Sequence, residues 1–271
     1  MNGQNQTLRH ILALSGGKDS AALAIYLKDR VNEMEYVFCD TEKELPETYA
    51  YLDKLQVFLG REIKRLKHEG MGFDGLLKMR RGFLPSPQMR WCTEYLKIKP
   101  YEKYVGESRI ISYVGIRADE RHRKGYVSTK PNIASRFPFI EDGLVKADII
   151  RILEESGLGI PEYYKWRSRS GCFFCFFQQR REWVGLLENH PDLFALAMEY
   201  EKEDPVASVR YTWTQGESLA DIARPDRVAQ IKRDFDRRQA RECGHSPNQS
   251  LAAVFAGELT DSDGGCLICH L

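Results

Sequence analysis

Two hydrophobic rhythms alternate along the first part of the chain. Short apolar runs at 11–14, 36–39, 63–66 and 110–115 read as buried strands, that at 63–66 being the weakest. A further strand is expected at 137–140. Between these runs, apolar residues take helical spacing. Residues 19–30 carry Ala22, Leu23, Ile25, Tyr26 and Leu27, and Pro46 opens a helix over 46–59. Further helices are expected at 73–79, at 91–105 with a break at Pro100, and at 146–156. Strands alternating with helices predict an α/β fold: a twisted parallel sheet with helices on both faces. Near residue 165 the pattern changes. The segments 179–188, 191–202 and 225–239 read as helices with no strand between them. The expected organisation is therefore a first domain over 1–165 and a helical C-terminal region over 166–271, with an irregular tail after Cys243.

The junction of the first strand and first helix reads Ser15-Gly16-Gly17-Lys18-Asp19-Ser20. Two glycines let a backbone turn tightly and approach a ligand. The helix that follows offers unpaired N–H groups and a positive dipole end, which suit a phosphate. Lys18 adds a charge, and Ser15 and Ser20 add hydroxyls. Neither the Gly-x4-Gly-Lys spacing nor Gly-x-Gly-x-x-Gly is present. The plain alternative is a turn capped by Asp19 or Ser20.

This loop resembles the PP-loop of the ATP pyrophosphatases and sulfonucleotide reductases. The segment from Asp40-Thr41 to Pro46-Glu47-Thr48 is similar to Asp-Thr-Gly-x-x-Phe-Pro-Glu-Thr of the phosphoadenosine phosphosulfate (PAPS) reductase family, with Glu42 in place of glycine. Gly115-Ile116-Arg117, with Glu120, Arg121 and Arg123, resembles that family's Gly-x-Arg…Glu-x-x-Arg. Phe137-Pro138, Ala147-Asp148 and Ile160-Pro161-Glu162-Tyr163-Tyr164 follow in order. The resemblance runs over about residues 10–190. It implies an adenine nucleotide bound by Ser15, Gly16, Gly17, Lys18, Asp19, Ser20, Asp40, Thr41, Gly115 and Arg117. Lys18, Asp19 and Arg117 are the expected catalytic residues, and Asp19 or Asp40 is the expected help in placing Mg²⁺.

Seven cysteines in a chain without a secretory signature suggest reduced thiols, a metal site or redox chemistry. Three readings stand: a 4Fe-4S cluster, a zinc site built from Cys172-x2-Cys175 and Cys266-x2-Cys269, or unligated thiols. Resemblance to adenosine phosphosulfate reductases favours the cluster. Trp91-Cys92 followed by Lys97-Ile98-Lys99-Pro100 is similar to their Cys-Cys…Lys-x-x-Pro. Cys92, Cys172 and Cys175 are then ligands, with Cys269 or Cys266 as the fourth. Cys39 is expected in the core.

The 271 residues are 42% hydrophobic and 29% charged, the mix of a soluble globular protein. The net charge of +1 confines any nucleic-acid surface to a local patch. Basic residues gather at Lys78, Arg80 and Arg81 and again at Arg117–Lys124, as phosphate contacts or as solvated loops. No apolar run reaches the ~20 residues of a membrane span. A cytoplasmic protein is the expectation.

The resemblance implies an enzyme. One reading is an ATP pyrophosphatase that adenylates an oxygen of a nucleic acid for sulfur insertion. That oxygen belongs to DNA, as in the ATP-pyrophosphatase component of phosphorothioation systems (the DndC/SspD kind), or to tRNA. A cysteine desulfurase is then the implied sulfur donor. A second reading is a PAPS or APS reductase that releases sulfite through a thiol such as Cys243 in Glu242-Cys243-Gly244-His245. A third is a non-catalytic nucleotide-sensing subunit.

Overall fold

The computed structural model describes residues 8–120, 123, 128–204 and 209–243. They divide into two compact units. The first holds 8–81 and 88–172, and the second holds 82–87 and 173–243. The first unit thus runs past the boundary expected near 165, to Cys172.

In the first unit, β1 (Arg9–Leu14), α1 (Lys18–Leu27), β2 (Met34–Cys39), α2 (Pro46–Leu59), β3 (Ile63–Leu66) and α3 (Phe73–Met79) come first. Next are α4 (Trp91–Thr93), a π turn (Glu94–Ile98) and α5 (Lys99–Val105), then β4 (Ile110–Tyr113), β5 (Ile133–Arg136), α6 (Pro138–Glu141) and α7 (Lys146–Glu155). The five strands are all parallel, in the order β3-β2-β1-β4-β5. Both faces are covered, so successive residues of β1 serve opposite cores. Leu12 and Leu14 pack with Leu23, Leu52, Ile149 and Leu153 of α1, α2 and α7. Ile11 and Ala13 pack with Val37, Cys39, Tyr101 and Val105 on the α5 side.

Two expectations over this part are corrected. The last strand is Ile133–Arg136, and the run expected at 137–140 is helical. Pro138 has no N–H for a ladder but suits a helix start, and it stands there. The expected break at Pro100 is absent. The helix from Trp91 to Val105 instead widens into the π turn just ahead of the proline, which gives the ring and its missing donor room without ending the helix.

The second unit contains α8 (Arg180–Asn189), α9 (Pro191–Glu199), β6 (Lys202–Asp204), β7 (Val209–Tyr211), α10 (Leu219–Ile222) and α11 (Pro225–Cys243). The antiparallel β6–β7 pair corrects the expectation of no strand here. Each strand is three residues long, too short for its alternation to register in sequence. An aromatic core holds the unit. Phe174 stacks on Trp213 at 4.9 Å, and the Trp213 indole donates to the Ala197 carbonyl at 2.9 Å.

At the amino end of the sheet, Arg9 makes two hydrogen bonds to Glu35, at 2.7 and 2.8 Å, and Tyr104 donates to the same carboxylate. The Arg9 bonds pull the Glu35 carboxyl down to about 2, against partial burial. A depressed carboxyl stabilises the fold fully above its ordinary value and loses that effect as pH falls through the folded one. Glu35→Gln is therefore expected to flatten the acid limb of a stability–pH curve between 4.5 and about 2, by roughly 2 kcal/mol after allowance for solvent screening. In urea denaturation, Leu23→Ala, at a fully buried site, should cost about 3 kcal/mol. Val57→Ala, 83% exposed, should cost less than ~0.5 kcal/mol.

Candidate functional site: the loop after β1

β2 and β3 extend the sheet to one side of β1, and β4 and β5 to the other. The chain reverses direction across the sheet at β1, and the crevice at the carboxyl end of such a switch point is where open α/β sheets bind ligands. The segment 15–20 lies there. Gly16 adopts φ +71°, and a Cβ on it would lie 2.4 Å from the Thr48 methyl of α2. A Cβ on Gly17 would lie 2.7 Å from the Ser170 hydroxyl oxygen. Gly115, just past β4, leaves room for the Asp19 carbonyl, which a Cβ would approach to 3.1 Å. All three glycines therefore act through the space they leave open, and Gly16 also through its left-handed backbone.

Hydroxyl groups fix the turn. The Ser15 amide donates to Ser20 Oγ at 3.1 Å, Gly17 N–H donates to Ser15 Oγ at 3.3 Å, and Ser20 donates to the Gly17 carbonyl at 3.2 Å. Ser170 donates to Ser15 Oγ at 3.2 Å. Tyr163 donates to the Gly16 carbonyl at 2.8 Å, and Tyr164 Oη accepts from the Lys18 amide at 3.2 Å. The Lys18 ammonium lies over the Tyr164 ring, 4.8 Å from its centroid.

Asp19 joins the two expected cations. Its carboxylate meets Lys18 Nζ at 3.2 Å and Arg117 Nη1 at 2.9 Å. Arg117 is bound further by Asp119 at 2.9 Å and Glu120 at 3.1 Å, and Arg123 pairs with Glu120 at 2.8 Å. Burial works against the Arg117 charge, but Asp19 outweighs it and holds the pKa above its ordinary value. The Lys18 pKa is likewise raised: burial opposes the charge, and Tyr164 and Asp19 support it. The guanidinium is thus already surrounded by carboxylates, and Arg121 and Lys124 lie outside the described residues.

The structure brings Ser15, Gly16, Gly17, Lys18, Asp19, Ser20, Gly115 and Arg117 together. Asp40 and Thr41 stand at the end of the neighbouring β2. Asp40 Oδ1 accepts from the Glu42 amide at 2.9 Å and from Tyr49 at 2.8 Å. Glu42 takes φ +61° at the position where the resemblance has glycine, and its carboxylate pairs with Lys67 at 2.6 Å. A cavity of about 250 Å³ opens beside it, lined by Asp40, Thr41, Lys67, His68, Met71 and Leu96 among others. Sequence reading assigned no role to Tyr163, Tyr164, Ser170, Asp119 or Glu44. The tyrosines lie in the 160–164 pattern, and Glu44 and Asp119 lie inside the 40–48 and 115–120 segments that carry the resemblance; Ser170 had no such signal.

Cys172 closes the first unit, its thiol 3.2 Å from Thr41 Oγ1 and 3.7 Å from the buried Glu44 carboxylate. Cys175 belongs to the second unit, and Cys266 and Cys269 lie outside the described residues. Among the described residues no group of three or more His, Cys, Asp or Glu side chains is arranged to hold a metal ion. Asp19 meets Lys18 and Arg117, while Asp40 Oδ1 accepts from the Glu42 amide and the Tyr49 hydroxyl and its Oδ2 lies 3.8 Å from Lys67. Cys39 is core, as expected. Burial pushes its thiol up to about 12. Among the described residues no helix is long and apolar enough to cross a membrane.

A parallel sheet with a glycine-rich, hydroxyl-fixed loop at its switch point defines an α/β phosphate-loop protein. The family model described as the phosphoadenosine phosphosulfate reductase domain matches residues 9–152, and the chain belongs to that family. Two uncharacterised proteins of Methanocaldococcus jannaschii are similar. One is 28% identical over 197 residues, covering 68% of this chain and 39% of the relative. The other is 24% identical over 193 residues, covering 67% and 45%. The chain thus spans less than half the length of these curated relatives. A phosphoadenylyl-sulfate (PAPS) reductase from Candida auris, solved as a phosphate complex, superposes with a TM-score of 0.49 at 14% identity, over 60% of this chain and 81% of that one.

The backbone angles at the two turns give opposite expectations. Gly16→Ala forces a methyl against Thr48 in a left-handed conformation, which alone costs ~1–2 kcal/mol, and should lower the melting temperature clearly. Glu42→Gly relieves the same strain and loses an exposed ion pair. It should stay within about 1 kcal/mol of the parent, on the stabilising side.

Proposed function

We propose that the chain is an ATP pyrophosphatase of the sulfur-inserting kind, activating an oxygen of a nucleic-acid substrate. An acceptor oxygen attacks the α-phosphorus of ATP. The new O–P bond forms as the bond to the bridging oxygen breaks, and pyrophosphate leaves with the electron pair. A persulfide, supplied by a partner of the cysteine desulfurase class, then displaces AMP from the activated position. A second thiol cleaves the resulting S–S bond, leaving the outer sulfur on the acceptor and a disulfide on the donor side. The observation that carries the reading is the tightly packed, hydroxyl-fixed turn at Ser15–Ser20, which joins β1 to the start of α1 at the carboxyl end of the switch point. Lys18 supplies charge toward the leaving pyrophosphate. Asp19 orients Lys18 and ties it to Arg117, which acts as a positioning residue in this arrangement. Mg²⁺ and a cluster belong to the same reading as expected cofactors.

The family match supports a second reading, reduction of a sulfonucleotide by a cysteine thiolate with release of sulfite. Cys243 ends α11, and Gly244-His245 lies outside the described residues.

Anaerobically purified protein is expected to release pyrophosphate from ATP, water taking the acceptor's place and AMP forming where no nucleic acid is present. Lys18→Ala should lower that rate roughly hundredfold, with unfolding unchanged. Asp19→Ala should act in the same direction, since it removes the carboxylate that orients Lys18 and ties it to Arg117. Sulfite from PAPS with a thiol donor, and no pyrophosphate from ATP, would replace this reading with the second.

A further inference from the structure

Charge is distributed very unevenly in this chain. From Lys78 to Lys99 there are six Lys and Arg and a single acid, Glu94, a net of +5 in a chain whose total is +1. We propose that the face carrying Lys78, Arg80, Arg81 and Lys99 binds single-stranded nucleic acid. The proposal rests on the nucleic-acid substrate of the preceding reading and locates where that substrate lies.

These four cations belong to the first unit, at the end of α3 and along the helix that follows. Tyr95 joins two of them, and Lys78 and Arg81 lie near Arg80 in the chain. The Arg80 guanidinium lies 5.4 Å from the Trp91 ring centroid and 5.5 Å from that of Tyr95. Lys99 lies 3.5 Å from the Tyr95 centroid. Aromatic faces hold cations in place without neutralising them. Glu94 is engaged by Lys99 at 3.0 Å. The neighbouring acids Asp74 and Glu69 are paired with Lys43 and Lys103. Lys78 and Arg81 are exposed, so the surplus charge faces solvent.

The apolar groups on this face distinguish a single strand from a duplex. Met79 is 66% exposed and Met71 40% exposed, beside the cations. A duplex keeps the faces of its bases stacked on one another, whereas a single strand offers unstacked bases, for which polarizable and aromatic groups are the usual platform. Met71 also lines the 250 Å³ cavity, together with His68 and Leu96, and His68 packs against Tyr95, ring centroids 6.1 Å apart. The cavity reaches Asp40 and Thr41 at the end of β2. A strand on the basic face therefore lies at a cavity that leads to the carboxyl edge of the sheet.

The test is fluorescence anisotropy of the full chain with labelled single-stranded DNA and RNA of about 16 nucleotides, between about 50 and 200 mM salt. The parent should bind with a steep salt dependence. The triple variant Lys78→Glu, Arg81→Glu, Lys99→Glu should lose at least about tenfold in affinity and about 2 from the log–log salt slope. The corresponding triple Gln variant should move the same way to a lesser extent, which guards against misfolding of the reversed-charge protein. Neither should alter pyrophosphate release from ATP in the absence of nucleic acid. Failure of the parent to bind either oligonucleotide would overturn the proposal, and intact ATP turnover in that case would leave the phosphate-loop reading standing. Binding unaffected by the triple variants would also overturn it. So would equal affinity for a polyglutamate peptide, which would give the face to an acidic protein partner.

Discussion

The site depends on a close approach of backbone that side chains would prevent. Gly16, Gly17 and Gly115 each face an atom from another segment, at distances no Cβ tolerates without displacement. Those atoms belong to Thr48, Ser170 and Asp19, so α2, the segment after Tyr164 and the start of α1 all converge on the end of β1. The packing of the first unit fixes this convergence. Leu12 and Leu14 anchor β1 in one core, Ile11 and Ala13 in the other, and the turn that follows has nowhere to drift. Rigid support of this kind is what a phosphate-binding turn requires, since its amides must be aimed before the ligand arrives.

Much of this was legible in the chain. Parallel strands buried on both faces show as continuous apolar runs, so β1, β2 and β4 stood out. The loop was legible because its chemistry is local: strand, two glycines, helix. The end of the sheet was harder to read. Ile133–Arg136 is short and half polar, as edge strands are, and the more apolar 137–140 drew the assignment although Pro138 argued against it. The β6–β7 ribbon escaped for a similar reason. Its strands are three residues each, and Tyr211 of β7 packs edge-on against Phe83, a partner that no short window of sequence contains.

Partners across long sequence distances were the least visible. Arg117 reads as a phosphate ligand when only its neighbours in sequence are counted. In the fold it serves Asp19, Asp119 and Glu120, and Asp19 is 98 residues away. Tyr163 and Tyr164 reach the loop from 147 and 146 residues away. Glycine at 42 would have been the simple solution to a left-handed turn. Glutamate holds the same angle there with a lysine partner, which only the coordinates reveal.

Three carboxylates around Arg117, with Asp19 shared by Lys18, leave the loop nearly balanced in charge. A crevice of uncompensated cations would attract any small oxyanion in the cell, and sulfate and inorganic phosphate would occupy it most of the time. A balanced one gives such ions little reward. On the proposed reading it discriminates by shape instead, favouring a ligand that fits a turn whose Ser15, Gly17 and Lys18 amides are already tied to hydroxyls. Selectivity of that kind is geometric, and it survives high ionic strength, where attraction between bare charges fades.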